Sequence, residues 1–183
     1  MKKISVTIVT ALLLFCVGCK THCPEFPAEL NYFPYYEGQE LKFINSQNDI
    51  RNFVISNKEN TKSYSFGNNC KCVCDAFSSF RTSENQDSIS LNCNINIVGG
   101  RYNDVIASHM EISCYFQYSY YYSDYLSREL PAGKPYEELY DYLEDIITIE
   151  KENNKIVNKI VIVKGKGLVS YTTVDGEEWK LVE

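Results

Sequence analysis

ISLNCNINIVGGRYNDVIASHMEISCYFQYS, residues 89–119, alternates in polarity twice, with a turn between the two runs. Ile89, Leu91, Cys93, Ile95 and Ile97 fall on one face of an extended chain, and Ser90, Asn92, Asn94 and Asn96 on the other. Successive side chains of a strand point to opposite sides of a sheet, so a period of two marks a strand with one face in a core and the other in water. From His109 the pattern returns. Met110, Ile112, Cys114, Phe116 and Tyr118 alternate with Glu111, Ser113, Tyr115, Gln117 and Ser119. Gly99-Gly100-Arg101-Tyr102-Asn103-Asp104 supplies the turn, and its paired glycines favour a bulge. Folding about Asn103 and Asp104 sets Ile95 opposite Ile112 and Cys93 opposite Cys114, in one long antiparallel hairpin.

The carboxyl-terminal residues repeat the theme. Lys159 to Lys164 reads as a strand, Gly165-Lys166-Gly167 as a break, Leu168 to Thr173 as a strand, and Asp175-Gly176 as a hairpin turn before Trp179 to Val182. Between Asn45 and Asn69 the only sustained apolar run is Phe53-Val54-Ile55, which predicts short strands with long polar turns. In Pro135 to Ile147 the apolar residues Tyr136, Leu139, Tyr140, Leu143, Ile146 and Ile147 recur at three and four, which predicts a short helix with a strand as the rival. Fifteen tyrosines and nine phenylalanines favour strands. The expected fold is mainly β: a curved antiparallel sheet or half-barrel built from hairpins, with one short helix.

Lys2 and Lys3, the apolar stretch Ile4 to Val17 and the small Gly18 have the layout of an export signal. At about 1.5 Å per residue the apolar stretch covers about 21 Å, short of a hydrocarbon core roughly 30 Å thick. Cys16-Val17-Gly18-Cys19 resembles the lipobox of bacterial lipoproteins, with Cys16 where leucine is usual. That resemblance implies cleavage between Gly18 and Cys19 and acylation of the Cys19 sulfur, including a palmitate-type chain; two or more acyl chains anchor a protein stably. The expected organisation is a signal peptide at 1–18, a membrane-proximal Pro/aromatic segment at 19–36 packed on the domain, and a single antiparallel β-rich domain at 37–183. Pro24, Pro27 and Pro34 interleave with Phe26, Tyr32, Phe33, Tyr35 and Tyr36, a composition too stiff and apolar for a free tether.

Cys-Pro-Glu-Phe-Pro (23–27), Tyr-Phe-Pro-Tyr (32–35) with Gly38-Gln39, Val-Lys-Gly-Lys-Gly-Leu-Val (163–169) and Trp-Lys-Leu-Val (179–182) are similar to stretches of uncharacterised lipoproteins of bacteroidete-type bacteria. The resemblance implies an envelope lipoprotein and carries over no catalytic residue. Lys20 does not resemble the aspartate that retains many lipoproteins at the inner membrane, so the outer membrane is favoured. The early acidic cluster of surface-exported lipoproteins is represented only by Glu25, which leaves the leaflet open.

Six further cysteines remain: Cys23, Cys70, Cys72, Cys74, Cys93 and Cys114. An even number in an exported chain suggests disulfides, and six cysteines allow 15 connectivities. If Cys70-Lys71-Cys72-Val73-Cys74 is extended, alternate residues lie roughly 6.5 to 7 Å apart, at or beyond disulfide range. Each would then pair with one of Cys23, Cys93 and Cys114. A direct Cys93–Cys114 bridge across the hairpin is the rival, with a metal site or reduced buried thiols as further alternatives.

The precursor's net charge of −6 becomes −8 once Lys2 and Lys3 are removed, which argues against nucleic acid and against electrostatic binding to anionic lipid. No nucleophile elbow, zinc-binding helix, phosphate loop or dinucleotide pattern occurs, and neither a metal nor a cofactor is expected. Tyr115-Phe116-Gln117-Tyr118-Ser119-Tyr120-Tyr121-Tyr122 would place aromatics on both faces of one strand. Either another element covers the second face, or Tyr115, Tyr118, Tyr120, Tyr121 and Tyr122 contribute to a contact surface for protein or glycan. The leading expectation is therefore a non-catalytic binding module. A structural or assembly factor of the outer membrane is second, and an envelope hydrolase, needing a cleft with His109 or paired acids, third.

Overall fold

A computed structural model describes residues 31–66, 72–99, 106–119, 122–129, 133–135, 138 and 144–182, with the backbone alone described for 63–66, 72, 106–108 and 119. The signal and lipobox residues through Cys19, together with Cys23, Cys70, Tyr120 and Tyr121, lie outside them. So does the Cys72 side chain. Eleven strands are formed among the described residues. They are β1 (Glu40–Ile44), β2 (Ile50–Phe66), β3 (Cys72–Thr82), β4 (Ser90–Gly99), β5 (Ile106–Ser119), β6 (Tyr122–Glu129), β7 (Lys134–Pro135), β8 (Ile146–Glu150), β9 (Val157–Val163), β10 (Gly167–Thr173) and β11 (Glu178–Leu181). All pair antiparallel in the order β6-β5-β4-β3-β2-β1-β11-β10-β9-β8, with the short β7 on β5. The outermost strands of that order, β6 and β8, approach one another, so the sheet curls into a nearly closed barrel.

The hairpin of β4 and β5 has the register expected from its alternation, with Ile95 opposite Ile112 and Cys93 opposite Cys114. Leu91, Cys93, Ile95 and Ile97 face inward with Met110, Ile112, Cys114 and Phe116, all buried. Two expectations are corrected. The polar stretch after Asn45 is mostly one strand of 17 residues, because β2 exchanges partners midway. Its first residues pair with β1 as far as Val54, and from Ile55 onward it pairs with β3, with a bulge between Ile55 and Asn57. Hydrogen bonding along two ladders holds the backbone extended where side-chain hydrophobicity does not.

The segment read as a short helix has strands at both ends. Pro135 lies in β7, and Ile146 and Ile147 begin β8, whose buried residues, Ile147 and Ile149, alternate. Its interior, 136, 137 and 139–143, lies outside the described residues.

Residues 31–36 close one end of the barrel. The Phe33 and Tyr35 rings pack edge-on against Phe80 of β3, at centroid separations of 5.2 and 4.7 Å. From there the chain reaches the opposite wall. The Tyr35 hydroxyl accepts from Leu168 N at 2.8 Å, Tyr32 donates to the Glu144 carbonyl at 2.7 Å, and the Asn31 carbonyl accepts from Gly165 N at 3.1 Å. Burial, with help from Asp145 and Glu144, pushes the Tyr32 hydroxyl up to about 12. At the other end Arg51 lies 4.0 Å from the Trp179 ring centroid and bonds Asp87 at 2.8 Å, a cation over an aromatic face with a carboxylate beside it.

Candidate functional site

The tyrosine run spans a strand boundary, since β5 ends at Ser119 and β6 starts at Tyr122. Along β5 the pleat sends Phe116 and Tyr118 inward and Tyr115 outward. Tyr118 is thereby corrected as a surface candidate: it is partly buried against the core, and its hydroxyl donates to Asp124 Oδ2 at 2.9 Å. Burial, then the hydrogen bond to Asp124, pushes the Tyr118 hydroxyl well above the ordinary tyrosine range.

The outward face is an aromatic platform. Tyr115 is 37% exposed and stacks on its cross-strand partner Tyr125, with centroids 4.4 Å apart and planes 29° apart. Such a pair adds about 0.5–1.5 kcal/mol beyond area burial, which fixes both rings in place. The Tyr125 hydroxyl donates in a short bond to Glu111 Oε1, and Ser127 and Ser113 also bond it. Burial, followed by the Glu111 bond, raises its pKa. Lys151 Nζ lies 5.5 Å from the Tyr125 ring centroid; Tyr122, 53% exposed at the start of β6, falls in alternation with Asp124 and Leu126 on the other side of the strand, with Lys155 Nζ 4.2 Å from its ring centroid. A lysine donor, a glutamate acceptor and serine hydroxyls thus border the stacked pair.

The lysines arrive from the loop between β8 and β9, which is fastened to β6. Asp124, 3% exposed, accepts from the backbone N–H groups of Lys155, Ile156 and Val157 at 2.9, 2.7 and 2.8 Å. Burial alone would raise the Asp124 carboxyl. The three amides and the Tyr118 hydroxyl outweigh it and hold the group below its ordinary value. Lys151 Nζ adds a bond to the Tyr125 carbonyl at 3.0 Å, and Arg128 makes a bidentate pair with Glu144 at 2.9 and 3.1 Å. No sequence pattern signalled Tyr125, Lys151 or Lys155, because their partners are cross-strand or across the gap between β6 and β8. The Asp124 cradle had one weak cue, an acid embedded in a run of strand-forming residues.

Cys93 and Cys114 are joined to each other, with Cα atoms 4.0 Å apart. The arrangement in which both pair with the Cys70-to-Cys74 cluster is corrected: the hairpin register brings the two sulfurs face to face before any other element can intervene. Cys74 is also disulfide-bonded. His109 lies on the outer face with Nε2 3.8 Å from Glu111 Oε2. Lys58, on the inner side of β2 opposite Phe80, bonds Ser78 Oγ and Asn60 Oδ1, both at 2.9 Å, and burial lowers its amine to about 8. Among the described residues no cluster of three His, Cys, Asp or Glu side chains is arranged to hold a metal ion, and no helix is long and apolar enough to cross a membrane. Comparison with protein-family models, with curated proteins and with solved structures finds no match.

Proposed function

We propose that this protein is a lipid-anchored, non-catalytic binding protein of the bacterial envelope, favouring the outer membrane, whose outward tyrosine face takes a glycan. The observation that carries the binding reading is the stacked, outward Tyr115–Tyr125 pair. A flat ring whose hydroxyl end is wet suits a sugar, which offers C–H groups on one face and hydroxyls at its edge. Lys151, Glu111 and Ser127 supply the donors and acceptors such hydroxyls need, where the centre of a protein interface would be more apolar. The anchor rests on the lipobox-like Cys16 to Cys19 alone.

Titration of the purified protein with envelope polysaccharide fragments tests the site. Tyr115→Ala is expected to weaken binding about tenfold, or about 1.4 kcal/mol, without lowering the melting temperature by more than a few degrees. Unchanged affinity in that variant, or no saturable binding by the parent, rejects the glycan reading. Intact mass tests the anchor separately: residues 19–183 plus lipid are expected, and an unmodified Cys19 thiol rejects it.

A further inference from the structure

The stacked tyrosines are the end of a longer row. The strand registers set Arg81 of β3 beside Asn92 of β4, Asn92 beside Tyr115 of β5, and Tyr115 beside Tyr125 of β6. The chain neighbours of each are buried, so all four side chains stand on the outer face. Adjacent strands lie about 4.8 Å apart, which stretches the row over roughly 14 Å and sets the Arg81 and Tyr115 backbones about 10 Å apart. Its groups are all planar: a guanidinium, an amide and two rings.

The cation of the row is unspent. Arg51 and Arg128 are each paired with a carboxylate, but the exposed Arg81 side chain makes no hydrogen bond or ion pair among the described residues. Its cross-strand neighbours, Asn57 and Asn92, are neutral, and Glu59, diagonal to it opposite Ser79, does not pair with it. Flanking the row are further small polar side chains, Ser90 and Asn94 on β4 and Ser123 and Ser127 on β6.

We propose that the glycan held by the tyrosine face is acidic: a linear oligosaccharide lying across the strands, one sugar ring on the Tyr115–Tyr125 pair and the carboxylate of a uronic acid further along, on Arg81. The assignment rests on the glycan reading of that face and names its sugar class. A carboxylate presents two oxygens to the guanidinium fork, a match that a sugar hydroxyl does not make. At the ring end Lys151 is bonded to the Tyr125 carbonyl and Glu111 to the Tyr125 hydroxyl, so the charges there offset one another and the acid belongs at the Arg81 end. The distance between the two contacts is longer than one sugar ring, which places the acid on another residue of the oligosaccharide.

Calorimetric titration of the purified protein tests it, with oligomers of galacturonate, mannuronate and glucuronate, each beside the same oligomer after its carboxyls are reduced to alcohols. At least one acid is expected to bind about tenfold more tightly than its reduced form, and added salt is expected to erode the difference. Arg81→Gln should bring the ratio to near one, and Tyr115→Ala should weaken both forms while the ratio survives. No binding of any acid, a ratio near one in the parent, or a tenfold ratio that persists in Arg81→Gln overturns the acidic assignment and leaves the glycan reading standing. Binding of an acid and its reduced form that Tyr115→Ala leaves untouched rejects the glycan reading of the face itself. Should Arg81→Gln fail to fold, the parent decides: a ratio indifferent to salt overturns the assignment.

Discussion

At Gly167 the backbone φ is +89°, and a Cβ added there would lie 2.0 Å from the Tyr35 hydroxyl and 2.3 Å from its ring carbon Cζ. Both the conformation and the space demand glycine, the first because L side chains rarely adopt that φ, the second because a pinned ring occupies the place of the methyl group. Gly167→Ala should therefore cost about 3 kcal/mol or more, combining backbone strain with the eviction of a buried tyrosine. At roughly 2–4 °C per kcal/mol for a chain of this size, thermal unfolding will show it. A milder probe is Tyr35→Phe, which leaves the buried Leu168 N–H without an acceptor and should cost about 1–3 kcal/mol. The sequence Gly165-Lys166-Gly167 announced a break between strands, and a break is present. That one of its glycines makes room for Tyr35 was not legible, because the demand comes from a residue remote in sequence.

The hairpin of β4 and β5 was the most legible element, since a one-residue slip would turn five apolar side chains into water. Its register placed Cys93 against Cys114, and the bond between them closes a loop of 21 residues. Replacing both by alanine should lower stability by about 3 kcal/mol on the chain-entropy account, measured by denaturant unfolding with the Cys74 disulfide intact. The tyrosine face was half legible: alternation required one set of rings to point outward, but which β6 residues would stack on them depended on a partner strand with little pattern of its own. β2 was read as fragments because its second half is polar on both faces, and its extension is imposed by β3. The ends of the expected helix are strand for a related reason. Ile146 and Ile147 fit a spacing of three and four, but Ile147 and Ile149 fit a spacing of two and have β9 to pair with.

For the molecule as a whole, closure is the weak point. β6 and β8 approach without a shared ladder, and the gap is bridged by the Asp124 cradle, Lys151 and the Arg128–Glu144 pair. The last of these is exposed and contributes little. Asp124 carries most of the burden, so Asp124→Ala should cost about 3 kcal/mol and speed amide exchange at Lys155, Ile156 and Val157 before other sites. The pH dependence has a definite sign. A carboxyl held below its ordinary value stabilises the fold fully above that value, 3.8, and loses the contribution as pH falls through the lower folded value. The stability difference between the parent and Asp124→Asn should thus be constant from pH 7 to 5 and shrink below about 3.8. A difference that instead shrinks near neutrality would show that another group is responsible.

The pairing of β1 with β11 has a temporal consequence. Among the described strands the first in the chain waits in mid-sheet for the last, so until Glu178 to Leu181 are in place, β1 and β10 each present a raw edge. Assembly by distant partners of this kind is slow and leaves such edges sticky while they wait. A chain cut short before Glu178 would be left with two open margins in mid-sheet, and quality-control proteases would have an immediate mark of incompleteness to act on.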